Sequence, residues 1–422
     1  MSRNRKRLST LGAVMLVVIV VIPILSPGAW AQSKYRTLHK FGSKDAAGVR
    51  PNELIFDQAG NLYGTTVSSV FKLTPNTDGS WIESVLYSFT NCIDGCGVDA
   101  GVIFDAKGNL YGTTAAGGAN GVGTVFELSP NADGSWQESV LYSFGGTNGD
   151  GNYPYTDLTF DQAGNLYGTT SEGGEYDGGT VFELTPNADG SWKEALLHSF
   201  KRPAPALAAY PNDVIFDQKG NLYGTTLWGG VYNDGVVFKL MPNSDGSWTE
   251  KVLHNFNVKG GGNPISGLIF DHAGNLYGVA LTGGDNLSSC ESGCGVVFEL
   301  VLQADGSWRE KVLHSFCSLA NCRDGGAGLG TPEGGTGPAL IFDQAGNLYS
   351  TTVHGGAYGW GTLFKLTPNS KGGWNDAVLH TFADHPGAEP FAPLISDPAG
   401  NLYGTTEGNG TTTFGSVFEI TP

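Results

Sequence analysis

The chain has 422 residues, of which 65 are glycine, and it carries a formal net charge of −17 at pH 7. Charged residues make up 15% of the chain against a typical ~25%, and glycine is about twice as frequent as usual. With 40% hydrophobic and 11% aromatic residues the chain can build a large core, which argues against intrinsic disorder. Glycine has no three-residue period, which excludes collagen, and the abundance of Val, Thr, Tyr, Phe and Trp predicts an all-β protein.

The first residues have the pattern of a secretory signal peptide. Four of the first seven residues are basic (Arg3, Arg5, Lys6 and Arg7), an apolar segment covers residues 8–25, and Ala29-Trp30-Ala31 forms an A-x-A cleavage site. Residues 1–31 are therefore expected to be a signal peptide, and residues 32–422 a single secreted or periplasmic domain. An uncleaved membrane anchor is the alternative, because the apolar segment is long enough to span a bilayer. Pro23 and the small-residue site favour cleavage, after which no membrane contact is expected.

The charge of the mature chain bears on its partners. Residues 1–31 contain four basic and no acidic residues, so their removal changes the net charge from −17 to −21. Such an acidic surface repels phosphate backbones, so nucleic acid is not an expected partner. We expect a monomer without a cofactor or a bound metal.

The six cysteines form three local pairs in the sequence. In an exported protein, paired cysteines are most simply disulfides. Zinc binding is the alternative, but no histidine stands at ligand spacing beside any pair. Exchange of partners between the second and third pairs stays open, since spacing alone does not give connectivity. The pairs are Cys92 with Cys96, Cys290 with Cys294, and Cys317 with Cys322.

The strongest signal in the chain is a sevenfold internal repeat. The phrase D-x-x-G-N-L-Y-G recurs, with Ser350 replacing its last glycine once, at start-to-start spacings of 48, 56, 56, 54, 72 and 54 residues. Seven such units fill the mature chain. The phrases begin at Asp57, Asp105, Asp161, Asp217, Asp271, Asp343 and Asp397.

Each repeat contains four segments with the pattern of strands, which we name A to D in chain order. In the third repeat they are residues 158–161, 165–170, 180–185 and 192–200, joined by tight turns rich in Asp, Asn and Gly. Four antiparallel strands per repeat are typical of a β-propeller blade, with strand A innermost. The sequence therefore predicts a seven-bladed β-propeller.

The two ends of the chain predict how the ring closes. Residues 35–41 match strand D, whereas residues 417–422 match strand C, so the last blade lacks a D strand of its own. The N-terminal strand is expected to complete that blade and remove an open sheet edge.

The repeated phrase, the Thr-Thr that follows it and the Gly-Thr-Val-Phe-Glu-Leu-Thr-Pro of strand C resemble the GloVer tandem repeat. This family consists of exported bacterial proteins with a choice of C-terminal anchors. The resemblance covers essentially the whole mature chain and implies export and a repetitive β architecture, without a reaction to transfer. The chain ends at Pro422 without an anchor tail, so free secretion or the periplasm is preferred.

Comparison between repeats separates architectural residues from candidate functional ones. Five histidines share one strand-D position, where two repeats have tyrosine, so we interpret them as structural. These residues are His39, His198, His254, His314 and His380, with Tyr87 and Tyr142 in the other repeats. His272 lies in an A–B turn, and only His354 and His385 lie in irregular loops.

The repeated aspartates have a structural interpretation as well. The Asp that ends each strand A is expected to bond backbone amides of the A–B turn, rather than to form a ring of catalytic carboxylates. The Asp-Gly-Ser-Trp turns between strands C and D lack the ligand series of a calcium loop, so hairpin turns are expected there.

Sequence variation is concentrated in the D–A and B–C loops, which emerge on one face of an antiparallel blade. Aromatic rings beside carboxylates on such loops suit sugar rings, which offer C–H faces and hydroxyls. The alternative is that these side chains only pack the loops together. The candidate ligand-binding residues are Tyr153, Tyr155, Tyr176, Asp177, Tyr210, Trp228, Tyr232, Asp234, Tyr358 and Trp360.

Two functions follow from these loops. The favoured one is a non-catalytic exported propeller that binds a glycan or a surface protein through its D–A/B–C face. The other is a carbohydrate-active hydrolase or lyase with two loop carboxylates such as Asp177 and Asp234 in the central funnel. Binding is favoured because no unique catalytic set emerges from the repeats.

Overall fold

A computed structural model describes residues 33–42, 50–147, 149–201, 209–286, 290–326, 337–384, 387–408 and 414–422. The expected signal peptide and His385 lie outside these residues. The described residues form seven four-stranded antiparallel sheets in the order A-B-C-D, and the fifth carries one extra short strand. This is the predicted seven-bladed β-propeller. None of the helical structure in the described ranges is long and apolar enough to cross a membrane.

Strands A are two or three residues long, and those of the first two blades contact each other. They are β2 (Leu54–Phe56), β6 (Val102–Phe104), β11 (Thr159–Phe160), β16 (Ile215–Phe216), β21 (Ile269–Phe270), β25 (Ile341–Phe342) and β29 (Ile395–Ser396). Strands B are buried along almost their whole length. They are β3 (Leu62–Thr66), β7 (Leu110–Thr114), β12 (Leu166–Thr170), β17 (Leu222–Thr226), β22 (Leu276–Thr282), β26 (Leu348–Thr352) and β30 (Leu402–Thr406).

Strands C and D form the outer half of each blade. Strands C are β4 (Ser69–Pro75), β8 (Thr124–Pro130), β14 (Asp177–Pro186), β18 (Val236–Pro242), β23 (Val296–Leu302), β27 (Thr362–Pro368) and β31 (Ser416–Thr421). Strands D are β5 (Trp81–Ser88), β9 (Trp136–Ser143), β15 (Trp192–Lys201), β19 (Trp248–Asn255), β24 (Trp308–Ser315) and β28 (Trp374–Thr381). The loops add β10 (Gly151–Asn152), β13 (Glu172–Gly173), β20 (Gly262–Pro264) and a 3₁₀ turn, Ala320–Cys322.

The N-terminal strand closes the ring as predicted. Strand β1 (Lys34–Lys40) pairs antiparallel with β31 and supplies the D strand of the seventh blade. The predicted bounds differ from the observed ones by one residue, because the backbone pairing begins at Lys34 opposite Thr421.

The repeated Asp-x-x-Gly-Asn phrase builds the A–B turn. In the first blade, Asp57 Oδ1 accepts hydrogen bonds from the backbone N–H groups of Ala59 and Asn61, both at 2.9 Å. Its Oδ2 accepts from Asn61 Nδ2 at 2.6 Å and from the Tyr63 hydroxyl at 3.2 Å. Gly60 has a φ of 81°, which favours glycine at that position. The structural interpretation of these aspartates is therefore confirmed.

Two threonines end most of the B strands, and they have different partners. The first donates to a carbonyl just before strand A of the next blade, for example Thr65 to Ala100 at 2.6 Å and Thr113 to Thr156 at 3.2 Å. The second bonds strand C of its own blade, as Thr114 does with Thr124 at 2.8 Å. The first type of bond holds the segment before strand A against the preceding blade at most seams; the fifth blade has Val279 and Ala280 in place of the two threonines, and the Thr405 hydroxyl of the seventh makes no hydrogen bond to the described residues.

The strand-D histidines lie at the seams between blades. His39 Nε2 is 3.2 Å from Glu83 Oε2, and His254 Nε2 is 3.3 Å from Glu310 Oε2 of the next blade. Where the repeat has tyrosine, Tyr142 donates to Asp150 at 2.9 Å. The repetition of these contacts at successive seams supports their structural role.

All six cysteines form the local disulfides that the sequence predicts, with no free thiol. The bonds are Cys92–Cys96, Cys290–Cys294 and Cys317–Cys322. Because each bond closes only a short segment, it restrains a loop more than it stabilises the whole fold.

Candidate functional site

The segments that lead into the A strands form the mouth of the central channel on the D–A/B–C face. Five non-glycine residues in these segments have φ between 51° and 58°, in the left-handed region, and each precedes a proline. Such conformations cost energy and persist only where the surroundings hold them. The five residues are Arg50, Tyr153, Tyr210, Asn263 and Glu389.

The repeat position just before strand A carries a carboxylate in three blades. Asp157 Oδ1 accepts a hydrogen bond from the backbone N–H of Gly101 at 2.6 Å. Asp213 Oδ1 accepts from the backbone N–H of Asp157 at 2.9 Å. The side chains of Glu53 and Asp157 also share a hydrogen bond. We call Glu53, Asp157 and Asp213 the channel carboxylates.

The channel carboxylates interact strongly because they are poorly hydrated. Burial, followed by the negative charge of Asp157, raises the pKa of Glu53 well above its usual range. The same two causes, in the same order, raise the pKa of Asp213. A hydrogen bond between two carboxyl groups requires one proton, and burial favours its presence on Glu53.

Three tyrosines lie in the segments at the channel mouth. The rings of Tyr153 and Tyr155 lie 6.4 Å apart with their planes inclined by 27°. Burial raises the pKa of Tyr155 to about 12, and Asp99, Tyr153, Glu172 and Tyr210 add to the shift. Tyr155 is therefore within electrostatic reach of side chains that come from three different blades.

Charged side chains complete the mouth. Arg50 Nε lies 3.2 Å from Glu407 Oε2, which joins the first blade to the seventh. Burial raises the pKa of Glu407, Arg50 lowers it, and Glu389 and Asp99 raise it further. We define the mouth cluster as Arg50, Asp99, Tyr153, Tyr155, Glu172, Tyr210, Glu389 and Glu407. Arg50 is the single cation among these eight residues, so the mouth is acidic.

The structure brings together only part of the predicted ligand-binding set. Tyr153, Tyr155 and Tyr210 belong to the mouth cluster. Tyr176, Tyr232 and Tyr358 are exposed on separate B–C loops, with 44%, 60% and 66% of their surface accessible.

The remaining four predicted residues lie in the loops or at the ends of strands, outside the mouth cluster. Trp360 packs on the core between the sixth and seventh blades. Thr226 donates to the carbonyl of Trp228 at 2.7 Å, which places that residue at the end of strand B. Asp177 begins strand C of the third blade, and Gly262 lies against Asp234, whose pKa is raised by burial.

The sequence prediction did not include the channel carboxylates or Arg50, Asp99, Glu172, Glu389 and Glu407. A signal for the channel carboxylates exists in the repeats. The position four residues before the strand-A aspartate varies between the repeats and carries a carboxylate in three of them, whereas the next position is always Leu or Val. Across the seven blades it is occupied by Glu53, Gly101, Asp157, Asp213, Gly267, Ala339 and Pro393.

Among the described residues, one group of three has ligand atoms close enough together to hold a metal ion. It consists of Cys290, Cys294 and Cys317, whose sulfur atoms are all in disulfides. The channel carboxylates do not form such a group.

The fold is similar to that of several solved structures. Virginiamycin B lyase from Staphylococcus aureus is 14% identical with a TM-score of 0.54, over 92% of this chain and 99% of that chain. A protein from Lactobacillus plantarum is 14% identical with a TM-score of 0.54, over 89% and 90% of the two chains. The extracellular domain of a proposed one-component system from B. thetaiotaomicron is 13% identical with a TM-score of 0.55, over 92% of this chain and 41% of that chain. At these identities the likeness concerns the fold alone.

The sequence comparisons give one match. Residues 29–209 and 210–422 each match the model of the Gloeobacter/Verrucomicrobia repeat. No curated protein sequence matches the chain.

Proposed function

The chain belongs to the Gloeobacter/Verrucomicrobia repeat family, and from that premise we propose that it is an exported, non-catalytic propeller that binds a glycan at its channel mouth. The observation that carries the proposal is the grouping of Tyr153, Tyr155 and Tyr210 with carboxylates in the mouth cluster. Aromatic faces suit the C–H face of a sugar ring, and carboxylates accept hydrogen bonds from its hydroxyls.

The mouth cluster is suited to recognition because its backbone is fixed before a ligand arrives. Tyr153 and Tyr210 are held in the left-handed region, and the carbonyl of each accepts a backbone hydrogen bond, from Ser171 and Leu227 respectively, at 3.0 Å. A rigid aromatic surface loses little conformational entropy on binding, which favours affinity.

Export is part of the proposal and is supported by two observations. The three disulfides suit an oxidising compartment outside the cytoplasm. One similar fold is an extracellular domain. Edman sequencing of the protein recovered from the medium or the periplasm would test cleavage after Ala31. An intact N-terminus in the membrane fraction would contradict it.

A glycan array followed by calorimetric titration of the best glycan tests the binding site. Tyr155→Ala is expected to weaken binding about tenfold, because a stacked ring contributes about 1–1.5 kcal/mol. Tyr358→Ala is the matched control, since that ring is exposed on another loop. Unchanged affinity in Tyr155→Ala, or an equal loss in Tyr358→Ala, would overturn the glycan site.

A surface protein is the other ligand that this face could take. A pull-down from surface extracts with the mature protein distinguishes the two. A partner that is retained after deglycosylation and lost in Tyr155→Ala would replace the glycan by a protein ligand at the same mouth.

The Glu53–Asp157 hydrogen bond is the one observation that favours the catalytic alternative, a hydrolase or lyase. Glycosidase carboxyl groups lie ~5–5.5 Å or ~6.5–9.5 Å apart, whereas directly hydrogen-bonded groups are closer. A lyase needs only a base, which this pair could supply. Mass spectrometry of the array's best glycan after incubation tests this alternative. No new product is expected, and a product that Glu53→Gln abolishes would establish the enzyme.

A further inference from the structure

Two disulfides from different loops meet beside the fifth and sixth blades. Cys290–Cys294 lies in the B–C loop of the fifth blade, and Cys317–Cys322 follows its D strand. The sulfur atoms of Cys290, Cys294 and Cys317 all lie within 4.8 Å of one another. The third disulfide, Cys92–Cys96, is in a different blade and has no such neighbour among the described residues.

The four cysteines differ in their exposure. Cys294 and Cys317 are almost fully buried, with 1% and 7% of their surface accessible, whereas Cys290 and Cys322 are half-buried. An external thiolate therefore reaches Cys290 or Cys322, and the sulfur that each attack releases is a buried one. A buried thiolate is poorly hydrated, which favours its reaction with the nearest disulfide.

We propose that these two disulfides act as one exchange unit, which a thiol converts into a cross-link between the loops. A small thiol, or the thiol of an oxidoreductase, attacks Cys290 as the thiolate. The Cys290–Cys294 bond breaks, a mixed disulfide forms at Cys290, and Cys294 leaves as the thiolate. The Cys294 thiolate then attacks Cys317, which forms Cys294–Cys317 and releases Cys322 as a thiolate.

A second thiol completes the reaction by releasing Cys290 from the mixed disulfide. In total, two thiols are oxidised to one disulfide, and two protein disulfides become one protein disulfide and two thiols. The product covalently joins the B–C loop of the fifth blade to the connection between the fifth and sixth blades. Its longer closed segment constrains the chain more than either local bond does. The exchange unit is thus a redox-sensitive cross-link between two loops of the D–A/B–C face.

Peptide mapping under non-reducing conditions tests the exchange. The full mature protein is treated with limiting glutathione at pH 8 and alkylated, and its disulfide-linked peptides are identified by mass spectrometry. We expect a Cys294–Cys317 linkage together with alkylated Cys290 and Cys322, whereas Cys92 and Cys96 are expected to be either bonded to each other or both alkylated. Stepwise loss of the two local disulfides without any Cys294–Cys317 linkage would overturn the proposal.

A double variant makes the test independent of reduction conditions. Of the four cysteines in the exchange unit, Cys290→Ser with Cys322→Ser leaves only the two buried ones, Cys294 and Cys317, which are expected to form a disulfide in air. The near-ultraviolet circular dichroism of the variant checks that it is folded. Two persistent free thiols in the folded variant would overturn the proposal as well.

Discussion

The phenol ring of Tyr35 stacks on the imidazole of His380, with centroids 4.0 Å apart and planes inclined by 4°. Tyr35 belongs to the closing strand β1, and His380 belongs to β28 of the sixth blade. The same tyrosine ring lies 6.0 Å from Phe382 and 5.6 Å from Phe418. The closing strand is therefore held to the propeller by side-chain packing on the sixth and seventh blades as well as by its backbone pairing with β31.

Tyr35→Ala is expected to lower the free energy of unfolding by about 2–3 kcal/mol, because it removes a half-buried ring from three aromatic contacts. Urea denaturation measures the change. Arg36→Ala is the control, since Arg36 makes a surface ion pair with Glu419 at 2.8 Å, which contributes up to ~1 kcal/mol. An equal loss in both variants would mean that the stack does not stabilise the closure.

The seam between the second and third blades predicts a dependence on pH. Burial, followed by the charge of Asp150, raises the pKa of Glu194 to about 7. An unfolded glutamate titrates near ~4.3, so between about pH 4.3 and pH 7 the unfolded chain loses a proton that the folded chain keeps. This group therefore lowers the free energy of unfolding as pH rises through that window.

Glu194→Gln removes this loss and is expected to raise the stability of the protein at pH 8 more than at pH 4.5. Thermal melts of the variant and the wild type across this range measure the difference. Lys193→Gln, an exposed neighbour in β15, is the control and is expected to show no such trend. A constant difference between Glu194→Gln and wild type at all pH values would contradict the assigned titration.

Most of the fold could be predicted from the sequence because each repeat contains the turn residues and strand patterns that specify one blade. The Asp that ends strand A, the Gly of the A–B turn and the alternation in strand C recur in every blade, so seven copies reinforce one interpretation. The site was harder to predict, because its residues come from different blades and share no motif. Tyr155 was recognised as a loop aromatic, but its neighbour Asp99 stands more than fifty residues away in the chain. Glu53 was missed because Gly101 occupies the equivalent position in the next blade.

The A–B turn of the sixth blade gives a prediction about a single carboxylate. Burial alone would raise the pKa of Asp343, but hydrogen bonds from Asn347, Tyr349 and Ala345 outweigh it and lower the pKa. Asp343→Ala leaves these donors without their acceptor, so a loss of about 2–3 kcal/mol is expected at pH 7. The loss is expected to shrink as pH falls below ~4, where the carboxylate of the unfolded chain is protonated first, until the folded carboxylate is protonated at its lower pKa.

Chemical denaturation at pH 7 and pH 3 measures both parts of this prediction. Asp305→Ala is the control, because the Asp305 carboxylate lies in an exposed C–D turn and accepts its bonds from Ser307 and from local backbone. A smaller loss is expected there. Equal losses at the two positions would show that the buried tyrosine and asparagine donors add nothing to the turn.

The channel carboxylates depend on the absence of a side chain at Gly101. A Cβ at that position would lie 2.9 Å from Cβ of Glu53 and 3.1 Å from Oδ1 of Asp157. Gly101→Ala is therefore expected to cost about 1–3 kcal/mol by overpacking the centre of the ring. Gly146→Ala is the control, because its new Cβ would meet only Asn120 Nδ2, at an ordinary 3.5 Å.

A double variant distinguishes this contact from a general loss of flexibility. Glu53→Ala removes the side chain nearest to the new Cβ, so the cost of Gly101→Ala is expected to fall substantially in that background. Urea denaturation of the four proteins gives the coupling free energy between the two positions. Additive losses would contradict the prediction, since an effect of Gly101→Ala on the backbone alone would be unchanged by the removal of Glu53.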